Sequence, residues 1–223
     1  MPADYSALRA SPLRGRPTGV IKDSELARLL EHPAIWRGRS AARTEAISTG
    51  FDSLDERLPG RGWPRTGLIE LLLPRFGAGE LSLLLPALAA LSRRPTARWC
   101  VWVTPPLDPF APALAAHGVS LERVLIVRGG TTMWGFEQSL GSGACDVAMA
   151  WGRRLRAREI RRLQLAAERG RTLGVLFRSQ SAARESSPAI LRLALEPLPQ
   201  GVRVTLLKSR GGKRGSIEVA WQT

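Results

Sequence analysis

Five short runs of almost continuous apolar residues constrain the fold of this chain more than any other feature. Parallel strands that are covered on both faces of a sheet have this pattern. The runs lie at residues 67–73, 98–104, 123–128, 145–151 and 172–178. Three later runs alternate apolar and polar residues instead, at 190–197, 201–208 and 216–221. We therefore predict five central parallel strands, followed by three strands of the edge or antiparallel kind.

Helical segments fall between the early strands, at residues 80–93, 109–117, 131–140 and 156–169. Strands that alternate with helices and are followed by closely spaced strands predict an α/β fold. We expect a mostly parallel sheet flanked by helices, with antiparallel strands added at its C-terminal end. We also predict an N-terminal arm over residues 1–46, with one short helix and a connector, and a core domain over residues 47–223.

The charge balance favours an anionic partner. The chain has 33 Lys and Arg against 19 Asp and Glu, a net charge of +14, and such a field attracts nucleic acid or acidic surfaces. An arginine-rich composition without any such partner is the alternative that the charge alone leaves open. No apolar run is long enough for a membrane span and no signal peptide is evident, so we expect a cytoplasmic protein with no membrane contact.

The residues needed for metal or histidine chemistry are scarce. Only two histidines are present, His32 and His117, too few for a zinc site or a histidine-based catalytic triad. Cys100 and Cys145 are far apart in the sequence and lie in apolar runs, so we predict two buried thiols and no disulfide. We expect no metal and no cofactor.

Three segments resemble RecA-like recombinases. Residues 47–74, "ISTGFDSLDERLPGRGWPRTGLIELLLP", resemble the segment that leads into the phosphate loop of those proteins. Residues 106–128 resemble their passage after the second strand, and residues 201–221 are similar to their closing hairpin. Within that superfamily the chain looks most like the ImuA family, which is RecA-like and SulA-related. The pieces "LPRFGAGELSLLLPALA" and "MAW" carry this likeness.

The ImuA resemblance implies a function and partners. It implies a non-catalytic adaptor in SOS-induced mutagenic translesion DNA synthesis, nucleoid-associated when DNA is damaged. Its implied partner is an ImuB-type Y-family-like protein, with RecA and an error-prone DnaE-type polymerase as further candidates. The alternative is a SulA-like cell-division inhibitor that binds FtsZ. The long C-terminal β region and the N-terminal arm favour ImuA over SulA.

The loop after the first apolar run lies where a RecA-like protein has its phosphate loop, yet it lacks the required residues. A Walker A loop needs glycines to wrap the phosphates, a lysine to neutralise them and a hydroxyl for Mg²⁺. In this alignment Leu73 and Ala78 replace the two glycines, Gly79 replaces the lysine and Glu80 replaces the hydroxyl. Shifting the alignment by one residue places the carboxylate of Glu80 at the lysine position, where it repels a triphosphate.

Two further ATPase positions are also changed. The catalytic glutamate falls at or near Thr104, and the Walker B acid falls at or near Trp151, while Asp146 lies at the opposite end of that strand. Neither Thr104 nor Pro105 beside it can activate a water as a carboxylate does. We therefore predict that the protein is not an enzyme, with no catalytic residues, no ATP hydrolysis and weak or no nucleotide binding.

Two basic clusters are candidate contacts for DNA or an acidic partner. The first shares one face of a predicted helix, at i, i+4, i+7 and i+8; it comprises Arg154, Arg158, Arg161 and Arg162. The second surrounds a glycine-rich hairpin tip and comprises Lys208, Arg210, Lys213 and Arg214. A solvated surface with no partner is the alternative for both. Ile35 and Trp36 are a candidate protein interface, with packing onto the core as the alternative.

Overall fold

The structure is a computed structural model that describes residues 45–152, 154–209 and 215–221. The chain divides into two units, Met1–Ser40 and Ala41–Thr223, and every described residue belongs to the second. The predicted N-terminal helix lies outside the described residues, and so do Ile35 and Trp36 of the candidate protein interface. So do Arg210, Lys213 and Arg214 of the predicted hairpin cluster.

Ten strands and five helices form the described part of the chain. The strands are β1 (Ala46–Ile47), β2 (Trp63–Pro64), β3 (Gly67–Leu73), β4 (Trp99–Val103), β5 (Val124–Val127), β6 (Cys145–Trp151), β7 (Leu173–Ser179), β8 (Leu191–Leu198), β9 (Gly201–Ser209) and β10 (Gly215–Ala220). The helices are α1 (Asp52–Asp55), α2 (Leu85–Ser92), α3 (Ala111–Ala116), α4 (Thr132–Gly141) and α5 (Ala157–Gly170), with 3₁₀ turns at Leu121–Arg123 and Gln180–Arg184. All eight predicted strands are present. The helix predicted over residues 80–93 begins later than expected, at Leu85.

Eight strands form one mixed sheet in the order β10-β9-β8-β3-β7-β6-β4-β5. The pairs from β8 to β5 are parallel, whereas β9 pairs antiparallel with both β8 and β10. A separate antiparallel ladder joins β1 to β2. The central strand β3 is buried at all seven positions, as its almost continuous apolar sequence predicts, and the exception, Glu70, is paired with arginines. Strand β5 comes last in the strand order and is therefore an edge strand.

The sheet is covered on both faces. One core contains Leu88 of α2 and Leu114 of α3, and the other contains Phe136 of α4 and Ile160 of α5. Successive residues of a strand point to opposite faces, so β4 supplies Trp102 to the first core and its neighbours to the second. Helices α2 and α3 therefore lie on one side of the sheet, and α4 and α5 on the other.

The "ISTGFDSLD" segment is a turn held together by its own side chains. The carboxylate of Asp55 accepts hydrogen bonds from the hydroxyl of Ser48 at 2.7 Å and from the backbone amide of Thr49 at 2.9 Å. Gly62 passes so close to this turn that a Cβ there would lie 2.3 Å from the carbonyl oxygen of Ile47. These residues thus have local structural roles that involve no ligand.

A buried ion cluster crosses the centre of the sheet. Glu70 of β3 accepts a hydrogen bond from Arg178 of β7 at 3.0 Å and another from Arg192 of β8 at 2.5 Å. Arg178 also pairs with Glu185, and Arg192 donates to the carbonyl oxygens of Glu185 and Ala182. The cluster therefore ties the 3₁₀ segment after β7 to the two strands beside it.

Asp146 forms a second buried centre at the start of β6. Its carboxylate pairs with Arg65, Arg94 and Arg98 at 3.2, 2.5 and 3.1 Å. Burial raises the pKa of Asp146, but hydrogen bonds from Arg94 and Arg98 lower it by more, and the net pKa lies below its ordinary value. Asp146 thus stabilises the amino ends of the strands.

Both cysteines are buried and free. Cys100 belongs to the core under α2 and Cys145 to the core under α4, so the two thiols lie on opposite faces of the sheet. Burial, with a smaller contribution from Asp146, raises the pKa of Cys100 to about 12. The prediction of two buried thiols is confirmed.

Candidate partner-binding surface

The loop after β3, residues 74–84, closes on itself. Leu73 ends the strand fully buried, Ala78 is buried, and so is the Glu80 side chain. The carboxylate of Glu80 accepts a hydrogen bond from the backbone amide of Gly77 at 2.9 Å, an amide of the kind that a phosphate loop leaves for its ligand. At Gly79, where φ is +90°, the ring of Trp221 lies so close that a Cβ would be 2.6 Å from it.

The two other altered ATPase positions have packing roles. Thr104 follows β4 in the left-handed region at φ +48°, and its buried hydroxyl has no hydrogen-bond partner within the described residues. Trp151 ends β6 and stacks on Phe177 at a centroid distance of 4.7 Å. The only nearby acid of that strand, Asp146, lies at its other end and is bound by arginines.

The predicted basic helix is present as α5. Arg158, Arg161 and Arg162 are exposed on it, and Arg154 is exposed just before it. Arg162 binds Glu137 of α4 through two hydrogen bonds, of 3.3 and 2.5 Å. Of the predicted hairpin cluster, the described member is Lys208, which donates to the carbonyl oxygen of Ser187 at 2.6 Å. The structure therefore does not bring the two clusters into one described site.

Exposed apolar side chains collect around the edge strand β5. We call five of them the β5 edge surface. They are, with their exposed fractions, Leu107 (74%), Phe110 (70%), Leu121 (40%), Leu125 (43%) and Ile126 (38%). Leu107 and Phe110 lie in the loop between β4 and α3, Leu121 lies in the 3₁₀ turn, and the other two lie on β5 itself.

Local structure holds the two halves of this surface together. The ion pair between Asp108 and Arg128 joins the loop after β4 to the end of β5, and the backbone amide of Thr104 donates to the carbonyl oxygen of Val127 at 2.8 Å. The outer side of β5 pairs with no described strand. An exposed strand edge beside exposed apolar side chains is typical of a protein-binding surface.

The β5 edge surface was missed in the sequence. One available signal was "TPPLDPF", in which Leu107 and Phe110 lie among three prolines. Prolines keep such a segment out of the sheet and leave its apolar residues exposed. The 123–128 run gave no such signal, because its apolar residues predicted a strand covered on both faces. Because β5 is at the edge of the sheet, Leu125 and Ile126 are instead exposed.

An exposed apolar edge on a mixed α/β sheet is typical of the class of proteins that bind other proteins. The family model "Cell division inhibitor SulA" matches residues 78–174. The chain is 35% identical over 122 residues to "Cell division inhibitor SulA" of Edwardsiella piscicida, covering 52% of this chain and 71% of that protein. It is 32% identical over 96 residues to the protein of that name in Photorhabdus laumondii subsp. laumondii, covering 42% and 54%.

The chain belongs to the SulA family, as the match to the Edwardsiella protein shows. The crystal structure of SulA from Pseudomonas aeruginosa is also similar, with 24% sequence identity and a TM-score of 0.42, covering 50% of this chain and 97% of that one.

The assignment to the ImuA family is therefore wrong, and so is the RecA-like fold class. The fold is instead the mixed α/β sheet described above, in a chain of the SulA family. The translesion adaptor function is wrong as well, together with its ImuB, RecA and DnaE-type polymerase partners. The comparisons support the stated alternative, a SulA-like inhibitor.

The RecA-like and ImuA assignments fail because the residues that carry the resemblance have structural roles. Ser48, Thr49 and Asp55 hold a turn, and the loop after β3 is closed by Glu80. "MAW" and most of "LPRFGAGELSLLLPALA" fall inside residues 78–174, the segment that the SulA model matches. Neither piece therefore separates the two families.

Two absences apply to the described part of the chain. None of its helices is long and apolar enough to cross a membrane. Within residues 45–152, 154–209 and 215–221, no cluster of His, Cys, Asp and Glu could hold a metal ion.

Proposed function

We propose that this protein inhibits bacterial cell division by binding FtsZ through the β5 edge surface. One observation carries the proposal. All eight exposed large apolar side chains of the described residues lie between Trp99 and Leu165, inside the segment that the SulA model matches. The part of the chain that is related to cell division inhibitors is thus the part that offers apolar surface to a partner. FtsZ assembles in the cytoplasm, which is where we place this interaction.

The chemistry of the surface suits stoichiometric binding. Covering a large apolar side chain stabilises a complex by about 1.5–3 kcal/mol, and Leu107 and Phe110 are the most exposed large apolar residues of the described chain. Their loop is joined to β5 by the backbone hydrogen bond from Thr104 to Val127 and by the Asp108–Arg128 pair, and such contacts reduce the conformational entropy lost on binding. A chain bound in this way removes FtsZ subunits from the polymerising pool without any chemical step.

Sedimentation of FtsZ polymers formed with GTP tests the proposal. We expect the full-length protein to lower the amount of pelleted FtsZ in proportion to its concentration. The double variant Leu107→Ser/Phe110→Ser should lose this effect. The matched control is Leu165→Ser, which changes an exposed leucine on α5, across the sheet from α3. A folded wild-type protein that neither binds FtsZ nor reduces the pellet would overturn the proposal.

We further propose that the protein does not hydrolyse ATP. Glu80 supplies a carboxylate where a nucleotide would bring phosphate, and it already occupies the amide of Gly77. Thr104 offers no carboxylate to activate water. Purified protein should show no ATP turnover above that of buffer. Turnover that Glu80→Ala or Thr104→Ala abolishes would contradict this.

A further inference from the structure

The outer sides of α4 and α5 form a second exposed surface, separate from the β5 edge surface. Helix α5 buries Ile160 and Leu163 against the sheet, so its opposite side faces solvent. That side carries one large apolar residue, Leu165, which is 48% exposed, together with four exposed arginines. The arginines are Arg158, Arg161, Arg162 and Arg169.

Contacts between the two helices set their register. Arg162 binds Glu137, and Gly141 lies against Arg169, so close that a Cβ on the glycine would be 2.4 Å from the guanidinium. The two helices therefore run side by side in the same direction. Trp134 lies one turn before Glu137 and Arg158 lies one turn before Arg162, so this register places both residues along the same stretch of the helix pair.

Trp134 is 65% exposed, and tryptophan is enriched at protein interfaces. We call the surface formed by Trp134, Arg158, Arg161 and Leu165 the α4–α5 face. Within the described residues, no carboxylate lies within salt-bridge distance of Arg158 or Arg161; the nearest acid on α4, Glu137, is already bound by Arg162. The face thus combines uncovered apolar surface with uncompensated positive charge.

We propose that the α4–α5 face binds an acidic amphipathic helix of a partner protein. Tryptophan and arginine are the residues most enriched where binding energy concentrates in protein interfaces. Arg158 and Arg161 are one turn apart on α5, and carboxylates one turn apart on a partner helix have the same spacing. Each guanidinium can bind a carboxylate through two parallel hydrogen bonds. The apolar side of that helix would cover Trp134 and Leu165.

The carboxylates on the same side of the helices favour a protein over a nucleic acid. Glu137 lies between the two helices with its side chain 22% exposed, and Glu168 is exposed on α5. Both repel a phosphate backbone, whereas a protein helix can place neutral or basic residues opposite them. The proposal does not depend on the binding of FtsZ, because it concerns different residues.

Fluorescence anisotropy of a labelled synthetic peptide tests this inference with the full-length protein. The peptide is an amphipathic helix with a leucine stripe bordered by glutamates at i and i+4. We expect binding that weakens at high salt. Arg158→Glu should weaken it about tenfold, and Trp134→Ala, as the central apolar contact, about thirtyfold.

The controls separate the α4–α5 face from general attraction to a basic protein. Arg75→Glu changes an exposed arginine in the loop that leads to α2 on the other side of the sheet, and it should leave the affinity unchanged. Arg158→Gln, which only removes the charge, should weaken binding less than Arg158→Glu. The inference is overturned if Arg158→Glu and Trp134→Ala bind as well as the wild type. It is also overturned if a scrambled peptide of equal charge binds equally, or if a thymidine oligonucleotide binds more tightly through the same residues.

Discussion

The loop after β3 and the loop after β4 both follow the carboxyl ends of parallel strands, and each leads to a helix. Their side chains nevertheless point in opposite directions. In the β3 loop, residues 74–84, Ala78 and Glu80 point inward and are buried. In the β4 loop, residues 104–110, Leu107 and Phe110 point outward and are mostly exposed. The first loop is closed by its own contacts, whereas the second offers surface to a partner.

The position of each strand in the sheet explains the difference. Strand β3 lies between β8 and β7, so its loop has neighbours on both sides. Trp221, which follows β10 and packs against Phe51 at a centroid distance of 6.2 Å, also closes over Gly79. Strand β4 has only the edge strand β5 beyond it. The β3 loop, which we call the central loop, is therefore covered by the protein itself. The β4 loop, which we call the edge loop, is left exposed for a partner.

Removing the ion cluster beneath the central loop should have the largest effect on stability. Glu70→Ala leaves the buried guanidiniums of Arg178 and Arg192 without their shared carboxylate. Breaking a buried ion pair in this way costs about 3–5 kcal/mol. Urea denaturation should show this loss in the free energy of unfolding.

Glu185→Ala is the matched control. It removes a carboxylate that also binds Arg178, but the Glu185 side chain is 52% exposed, so the expected loss is below about 1 kcal/mol. A loss for Glu70→Ala no larger than that for Glu185→Ala would show that the buried cluster does not stabilise the centre of the sheet.

Gly79→Ala should have the next largest effect, and it tests how tightly the central loop is closed. The new Cβ would meet the ring of Trp221 at 2.6 Å in a backbone conformation that alanine adopts with strain. We expect a loss of about 1–3 kcal/mol by thermal unfolding. Gly77→Ala separates the two causes, because Gly77 has φ +78° and open space around it. Equal losses for the two variants would mean that the contact with Trp221 contributes nothing.

Much of this fold could be predicted from the sequence. The run "GLIELLL" is β3 with the same bounds, because a strand that is buried on both faces needs apolar residues at nearly every position. The eight strand positions follow from patterns of this kind. The strand order does not, because it depends on contacts between residues far apart in the chain. The run that became β5 illustrates this, since nothing in its sequence marks it as an edge.

The candidate site could be predicted less well. Helical periodicity predicts the exposed Arg158, Arg161 and Arg162 of α5, whereas Arg154, predicted on the same face, lies before the helix. The β5 edge surface does not follow from periodicity, because Leu107 and Phe110 are ordinary apolar residues whose exposure is set by the neighbouring strand. The local motifs also predicted the wrong family. The turn around Asp55 and the loop around Glu80 are packing solutions, and neither requires a nucleotide.

Thr104→Gly should have a smaller effect of the opposite sign and tests the edge loop. Thr104 is β-branched and has φ +48°, which costs about 1–3 kcal/mol relative to a relaxed backbone. Glycine removes this strain but loses about 0.5–1 kcal/mol of conformational entropy on folding. We expect a net gain of about 1 kcal/mol by thermal unfolding. Thr104→Ala removes the unpaired hydroxyl and keeps the strain, so an equal gain for alanine would assign the effect to the hydroxyl instead.

The double variant Leu107→Ser/Phe110→Ser should change stability least of all. With 74% and 70% of their area already exposed, these side chains contribute little buried apolar surface, and substitutions at such sites usually change the free energy of unfolding by less than about 0.5 kcal/mol. Urea denaturation should therefore give the wild-type midpoint. A loss comparable to that of Gly79→Ala would mean that the edge loop is packed as the central loop is. An unchanged midpoint together with lost FtsZ binding would instead show that the edge loop binds the partner without stabilising the fold. A surface that only a partner covers adds nothing to the stability of the free protein.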